Sequence, residues 1–261
     1  MPGTFSHPLA VVPLRRFCSA PLNFAALIIG SLSPDFGYYI RRFPLAGFAH
    51  TIPGTLTVCL PSGLLAVGLF YLLRRPLCFI LPQPHRSALM PLALRQPAFS
   101  LSAFLILALC VLVGAWTHTI WDSFTHAGGW SVERFAVLRA PLISIGAATL
   151  PVSYVLQQAS TFAGGAFLAI LYFRWLRRQA KPDTAEADSL SDRWRYGLLG
   201  FLVVIALAFA IPSALRMASL YDGYLAFRVF VFRTGVYSAA AFVPLLILAS
   251  IALYAAYRRR A

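Results

Sequence analysis

Acidic residues are nearly missing from this chain: eight Asp and Glu stand against 22 Lys and Arg in 261 residues. Half of those acids, Asp183, Glu186, Asp188 and Asp192, fall in one short polar stretch. Charge of either sign is scarce, at 11% of residues, while 59% are hydrophobic and the mean hydropathy is +0.74. So little charge cannot cover a water-facing surface, which excludes a soluble globular enzyme. The net charge of +14 raises nucleic acid as a partner. The arginines, however, sit at the ends of long apolar runs and form no single basic face. That placement meets lipid headgroups, so membrane lipids, not nucleic acid, are the expected partners. Paired cysteines are also lacking. Cys18, Cys59, Cys78 and Cys110 are scattered, without a C-x-x-C pair or a histidine at zinc-finger spacing, and read as packing residues. Residues 1–14 have no basic segment ahead of an apolar one and are interrupted by His7, so no cleavable signal peptide is expected.

What the chain does have is apolar length. A hydrocarbon core about 30 Å thick needs roughly 20 apolar residues of helix. Five charge-free runs approach that length, at 52–73, 98–116, 153–173, 197–215 and 236–257, with Trp and Tyr at their edges as headgroup-level anchors. The expected fold is all-α, a polytopic membrane helical bundle of five spans plus a short N-terminal membrane or interfacial helix within 21–40. Asp35 and a Ser-Pro breaker interrupt that segment and leave it too short to cross. Residues 1–261 read as a single integral-membrane domain with a polar cytoplasmic loop at 179–195 and an interfacial segment at 216–235. No internal repeat is visible.

Five crossings put the termini on opposite sides. Arg74, Arg75, Arg86, Arg95, Arg174, Arg177, Arg178, Lys181, Arg193, Arg195 and Arg258 to Arg260 then share one side, and the smaller remainder the other. The positive-inside bias places the larger group in the cytoplasm and the N-terminus outside, in the cell's inner membrane.

Four of the five histidines, His7, His50, His118 and His126, fall on the extracytoplasmic face by this topology, together with Asp35 and Asp122. His50 opens the first span, and His118 and Asp122 close the second. In His118-Thr-Ile-Trp-Asp122-Ser-Phe-Thr-His126 the i, i+4, i+8 spacing turns each side chain only about 40° from the last, with about 6 Å of rise. One helix face thus carries imidazole, carboxylate and imidazole, and His126 either serves a second ion or needs the helix to loosen near Ala127-Gly128-Gly129. Asp35 would cost roughly 2.5 to 3.5 kcal/mol at mid-bilayer and requires a partner. The candidate metal ligands are therefore His7, Asp35, His50, His118, Asp122 and His126. The alternatives are an N-cap role for Asp35, an Asp122–Arg134 pair, and histidines that only hydrogen-bond at headgroup level.

At these residues the chain resembles a bacterial multi-pass membrane family, domain-of-unknown-function family 4184. The matching elements are Thr4-Phe-Ser-His7-Pro8, Gly30-Ser-Leu-Ser-Pro-Asp35-Phe, His50-Thr-Ile-Pro-Gly54 and Thr117-His118-x3-Asp122-x3-His126 followed by Gly-Gly. The likeness is specific over most of residues 1–130 and rests on hydropathy beyond them. More distantly, the chain is similar to membrane-bound metal-dependent hydrolases of the YdjM type, and through them to the zinc-dependent phospholipase C and P1 nuclease fold. The resemblance implies a divalent metal ion, zinc above others, and a phosphoesterase-like hydrolase acting on a lipid or other anionic small-molecule substrate. Arg41, Arg42, Arg134 and Arg228 are candidates to hold an anionic headgroup. The alternatives are an ion or metal transporter, which would need polar groups deep in several spans, and a catalytically inert metal-stabilised scaffold.

Overall fold

The computed structural model describes residues 4–18, 22–96, 100–145, 148–179 and 190–259. Five helices are long and apolar enough to cross a membrane: Ile52–Phe79, Leu101–Arg134, Val152–Gln179, Asp192–Ala218 and Gly223–Arg258. The protein is an all-α, multi-pass membrane protein. These spans, numbered one to five in chain order, outrun the apolar stretches that mark them. Hydropathy reports only the part in hydrocarbon, whereas backbone hydrogen bonding continues into the headgroup layer, where the exposed Arg177 can reach water.

Three features differ from expectation. Residues 180–189 of the polar loop, with Asp183, Glu186 and Asp188, lie outside the described residues. The end of that loop is helical: Ser191 accepts the Trp194 N–H and caps span four, whose first turn contains Asp192 and Arg195. Arg195 is fully buried, donating to the Phe79 carbonyl with its guanidinium over the Phe79 ring. The stretch from Gly223 onward, read as a separate interfacial segment, is continuous with span five in one 36-residue helix. Its arginines are spaced so that the ladder continues through them, and Arg233 donates to the Tyr237 hydroxyl at 2.8 Å. Finally, β1 (Pro141–Ile145) and β2 (Ala148–Pro151) form an antiparallel hairpin. Its short Ile- and Leu-containing runs have no period that separates strand from helix.

The chain groups into two units, one formed by Met1–Gly68 with Ala98–Leu171 and the other by Leu69–Pro97 with Tyr172–Ala261. All six candidate ligands belong to the first. There, the Asn23 side chain accepts the Ala26 N–H at 3.0 Å and starts helix α1 (Phe24–Leu32). Helix α1 packs along span two at two glycines. A Cβ on Gly30 would lie 2.3 Å from the Val111 carbonyl oxygen, and one on Gly114 2.3 Å from the Leu27 oxygen. Only hydrogen at both positions allows the two backbones to approach so closely.

A 3-10 stretch, Thr4–Phe17, interrupted by Pro8 and Pro13, packs on both helices and carries Thr4 and His7 to the crossing. A single 3-10 turn, Ser33–Asp35, follows α1. The short helix Phe43–Ala49 ends at His50, and Thr51 then caps span one by accepting the Gly54 N–H at 3.1 Å, with Pro53 in the first turn.

The crossing makes a direct expectation. Gly30→Ala or Gly114→Ala forces backbone apart and should destabilise the protein by about 1 to 3 kcal/mol or more, read as a lowered unfolding midpoint in detergent. Gly68→Ala, with nothing within 4 Å of the added carbon, should not lower it. Equal loss at all three positions would refute the close crossing.

Candidate metal centre

The crossing sets His118 beside α1. Its Nδ1 lies 2.7 Å from the Ser31 carbonyl oxygen. His50 has the matching arrangement one element away, with Nδ1 2.7 Å from the Ala46 carbonyl oxygen. A carbonyl only accepts, so both Nδ1 atoms carry the proton, and in the neutral ring each Nε2 presents a lone pair. Those two Nε2 atoms face each other at 3.2 Å. Asp122 Oδ2 completes a triangle, 3.3 Å from each of them. With both rings neutral, three acceptors converge on one point with no hydrogen between them.

The lengths identify what the triangle fits. Ligands at 2.0 to 2.1 Å in tetrahedral geometry stand about 3.3 to 3.4 Å apart, and the three edges here are 3.2, 3.3 and 3.3 Å. An octahedral magnesium site at 2.1 Å has edges of about 3.0 Å and takes oxygen ligands. Imidazole pairs with carboxylate suit zinc and similar ions.

Around this triangle lie the remaining residues. Asp35 is buried, with Oδ2 accepting from the Thr4 hydroxyl at 2.5 Å. Oδ1 is left 3.6 Å from His50 Nε2 and 3.7 Å from His118 Nε2, too far to hydrogen-bond. The His7 ring stacks on His118, centroids 3.6 Å apart, and its Nε2 is 3.5 Å from Asp122 Oδ1. Burial above all pushes the His7 imidazole down to about 3. His7 is therefore neutral, and its approach to Asp122 is not an ion pair. At the rim, burial and then Asp35 and Asp122 push the Tyr38 phenol up to about 12, so it keeps its proton.

All six predicted residues converge. Among the described residues, His7, Asp35 and His118 form one group, and His50, His118 and Asp122 another, each with ligand atoms within 4.8 Å of one another. His126 belongs to neither group. The span-two helix ends at Thr125, His126 takes an extended conformation, and Gly128 turns the chain at φ 78°. His126 Nδ1 lies 3.3 Å from the Asp122 backbone carbonyl, 3.3 Å from the Thr125 hydroxyl and 3.4 Å from Asp122 Oδ2, while Nε2 accepts from the Gln157 amide nitrogen at 2.8 Å. The helix thus ends one residue before His126. Asp35 makes no capping hydrogen bond, and Asp122 pairs with histidines instead of Arg134.

Sequence reasoning missed four partners. Thr4 lies inside a quoted motif without an assigned role, and Gln157 is marked only by a Gln-Gln pair in an apolar run. The carbonyls of Ser31 and Ala46 have no side-chain signature.

These features define a class: a multi-pass membrane protein with a buried cluster of histidines and aspartates that opens on one side. The chain belongs to the family described as Domain of unknown function (DUF4184), whose sequence model matches residues 1–251. The likeness seen in the first 130 residues therefore extends over nearly the whole chain. No curated protein and no solved structure matches it.

The tautomers can be checked directly. Long-range proton–nitrogen correlation spectra of the detergent-solubilised protein should show a protonated Nδ1 and bare Nε2 for His50 and His118. A protonated Nε2 at both would remove the convergence of lone pairs.

Proposed function

We propose that this protein is a membrane-bound, metal-dependent hydrolase of phosphoesters, acting at the extracytoplasmic face of the inner membrane on a lipid or another anionic substrate. The observation that carries the reading is the triangle of His50 Nε2, His118 Nε2 and Asp122 Oδ2, with edges matching one tetrahedral face. A zinc or similar divalent ion held there supplies Lewis acidity to a phosphoryl oxygen and lowers the pKa of water to roughly 7.

The chain's own residues divide the remaining work. Asp35 and Asp122 balance charge, and Thr4 orients Asp35 through its Oδ2. The backbone carbonyls of Ser31 and Ala46 fix the imidazoles. His126, outside the triangle, accepts from the Gln157 amide at Nε2, so its neutral ring carries the proton at Nδ1 and is placed to donate it as a general acid.

Access favours a substrate arriving from one side. The His50 and His126 side chains are 21% and 29% exposed, whereas those of His7, Asp35 and His118 are at most 1%. Phe48 and Ile52 flank His50 and are exposed, an apolar rim suited to acyl chains. Arg41, Arg42 and Arg134 in the same unit are also exposed and supply charge for an anionic headgroup.

Two measurements test this. Reporter fusions at Gly128 and Arg86 should report opposite sides of the membrane, with Gly128 outside; a cytoplasmic Gly128 would refute the proposed face. Purified protein should hydrolyse phosphodiester or phospholipid substrates in mixed micelles and lose activity to chelator. Asp122→Asn should lower turnover or metal affinity by at least about 10-fold, while His85→Ala, which loses a contact to Tyr172 in the other unit, should change neither. Activity that survives both chelation and Asp122→Asn overturns the hydrolase. Firm metal binding to wild type and not to His118→Ala, with no turnover on any such substrate, would make the site structural.

A further inference from the structure

Once the triangle is assigned, three polar atoms of the cluster remain buried and without a hydrogen-bond partner: His7 Nε2, Asp35 Oδ1 and Asp122 Oδ1. Their residues are 3%, 1% and 6% exposed. An unmade hydrogen bond at a buried polar atom costs about 1 to 3 kcal/mol, more for a charged one. Three together rival the roughly 5 to 15 kcal/mol by which a whole domain is stable. Three orphaned atoms on neighbouring side chains of one cluster are better explained by one shared partner than by three separate defects.

His118 cannot supply that partner's ligand as well. Its Nδ1 is committed to the Ser31 carbonyl and its Nε2 is already a corner of the triangle, so its single lone pair serves one ion only. The orphaned atoms are those the first ion leaves over. Asp122 is divided between the two sets: Oδ2 faces His50 and His118, while Oδ1 faces His7 at 3.5 Å. A carboxylate so divided is a bridge.

We propose that the cluster is a dinuclear centre, with a second divalent cation held by His7 Nε2, Asp35 Oδ1 and Asp122 Oδ1 and joined to the first through the Asp122 carboxylate. This rests on the metal reading above and deepens it. Paired ions clamp the attacking and leaving oxygens of an in-line displacement, the chemistry of the phosphate esters proposed above. The same arrangement gives His7 a function that its neutral, deeply buried ring otherwise lacks.

The test is metal stoichiometry by mass spectrometry of the full-length protein, purified in detergent and loaded with zinc. Wild type should hold two ions per chain, and His7→Ala one. Because the His7 ring is buried and its loss opens a gap under residues 4–17, a second measurement uses wild type alone. Cobalt is titrated in and followed by electron paramagnetic resonance, and the signal per ion should fall as the second equivalent enters and couples through Asp122. One ion per chain in wild type, or a cobalt signal that rises to one equivalent and stops, overturns the second ion and leaves the first. No bound ion at all overturns both readings.

Discussion

Everything at the centre of this protein depends on two backbone carbonyls. By accepting from Nδ1 of His118 and His50, Ser31 and Ala46 force both Nε2 lone pairs inward, to 3.2 Å from each other and 3.3 Å from a carboxylate oxygen. Nitrogen and oxygen acceptors at such distances repel unless something positive stands between them. A mobile proton relieves one pair at a time, whereas a doubly charged ion relieves all three edges. The two carboxylates make the same demand in charge, for among the described residues neither is paired with Lys or Arg.

The fold brings those carbonyls into place through contacts remote from any ligand. Ser31 reaches His118 because α1 and span two cross at Gly30 and Gly114, where a single added carbon would overlap backbone atoms. Ala46 reaches His50 because its helix stops one residue before His50 and Thr51 begins the next. A hydrogen bond from one ring nitrogen sets the basicity of the other and fixes the ring's orientation. Here they come from the main chain, so their precision depends on helix packing and not on a further side chain.

Much of this was legible in the sequence because the two signals are strong and independent. Apolar runs of near-span length have few alternative explanations, and antiparallel spans bring the start of the first and the end of the second to one face, which places His50 and His118 together without knowledge of packing. The eight-residue run from His118 to His126 also announced its own difficulty, since a straight helix separates its ends by about 12 Å, and the helix does end before His126. The residues missed had no pattern to reveal them. Thr4 and Gln157 are single polar residues in apolar surroundings, a common and unspecific feature. The carbonyl partners are invisible in any residue alphabet. Helix ends and the hairpin escaped notice because hydropathy measures contact with lipid, not hydrogen bonding, and the burial of Arg195 escaped because a charge next to a polar stretch reads as solvated.

The chain also contains its own contrast between a structural acid and a different kind. Asp192 lies 4.0 Å from Arg195 Nε and its Oδ1 accepts the Gln83 N–H at 3.1 Å, an acid satisfied by donors. With 22 basic residues available, the same solution was open to Asp35 and Asp122. Arginine brings five donors and a permanent charge, and it would have closed those carboxylates off completely. They are surrounded instead by four imidazoles, at least two of which turn acceptors toward them. An acid buried among imidazole acceptors leaves negative potential unmet, a cost that a cation from outside the chain would offset. Acids are scarce in the sequence, yet two of the eight, Asp35 and Asp122, stand in this one buried cluster. A membrane protein retains a buried carboxylate where a positive partner is assured, and among the described residues no lysine or arginine takes that part.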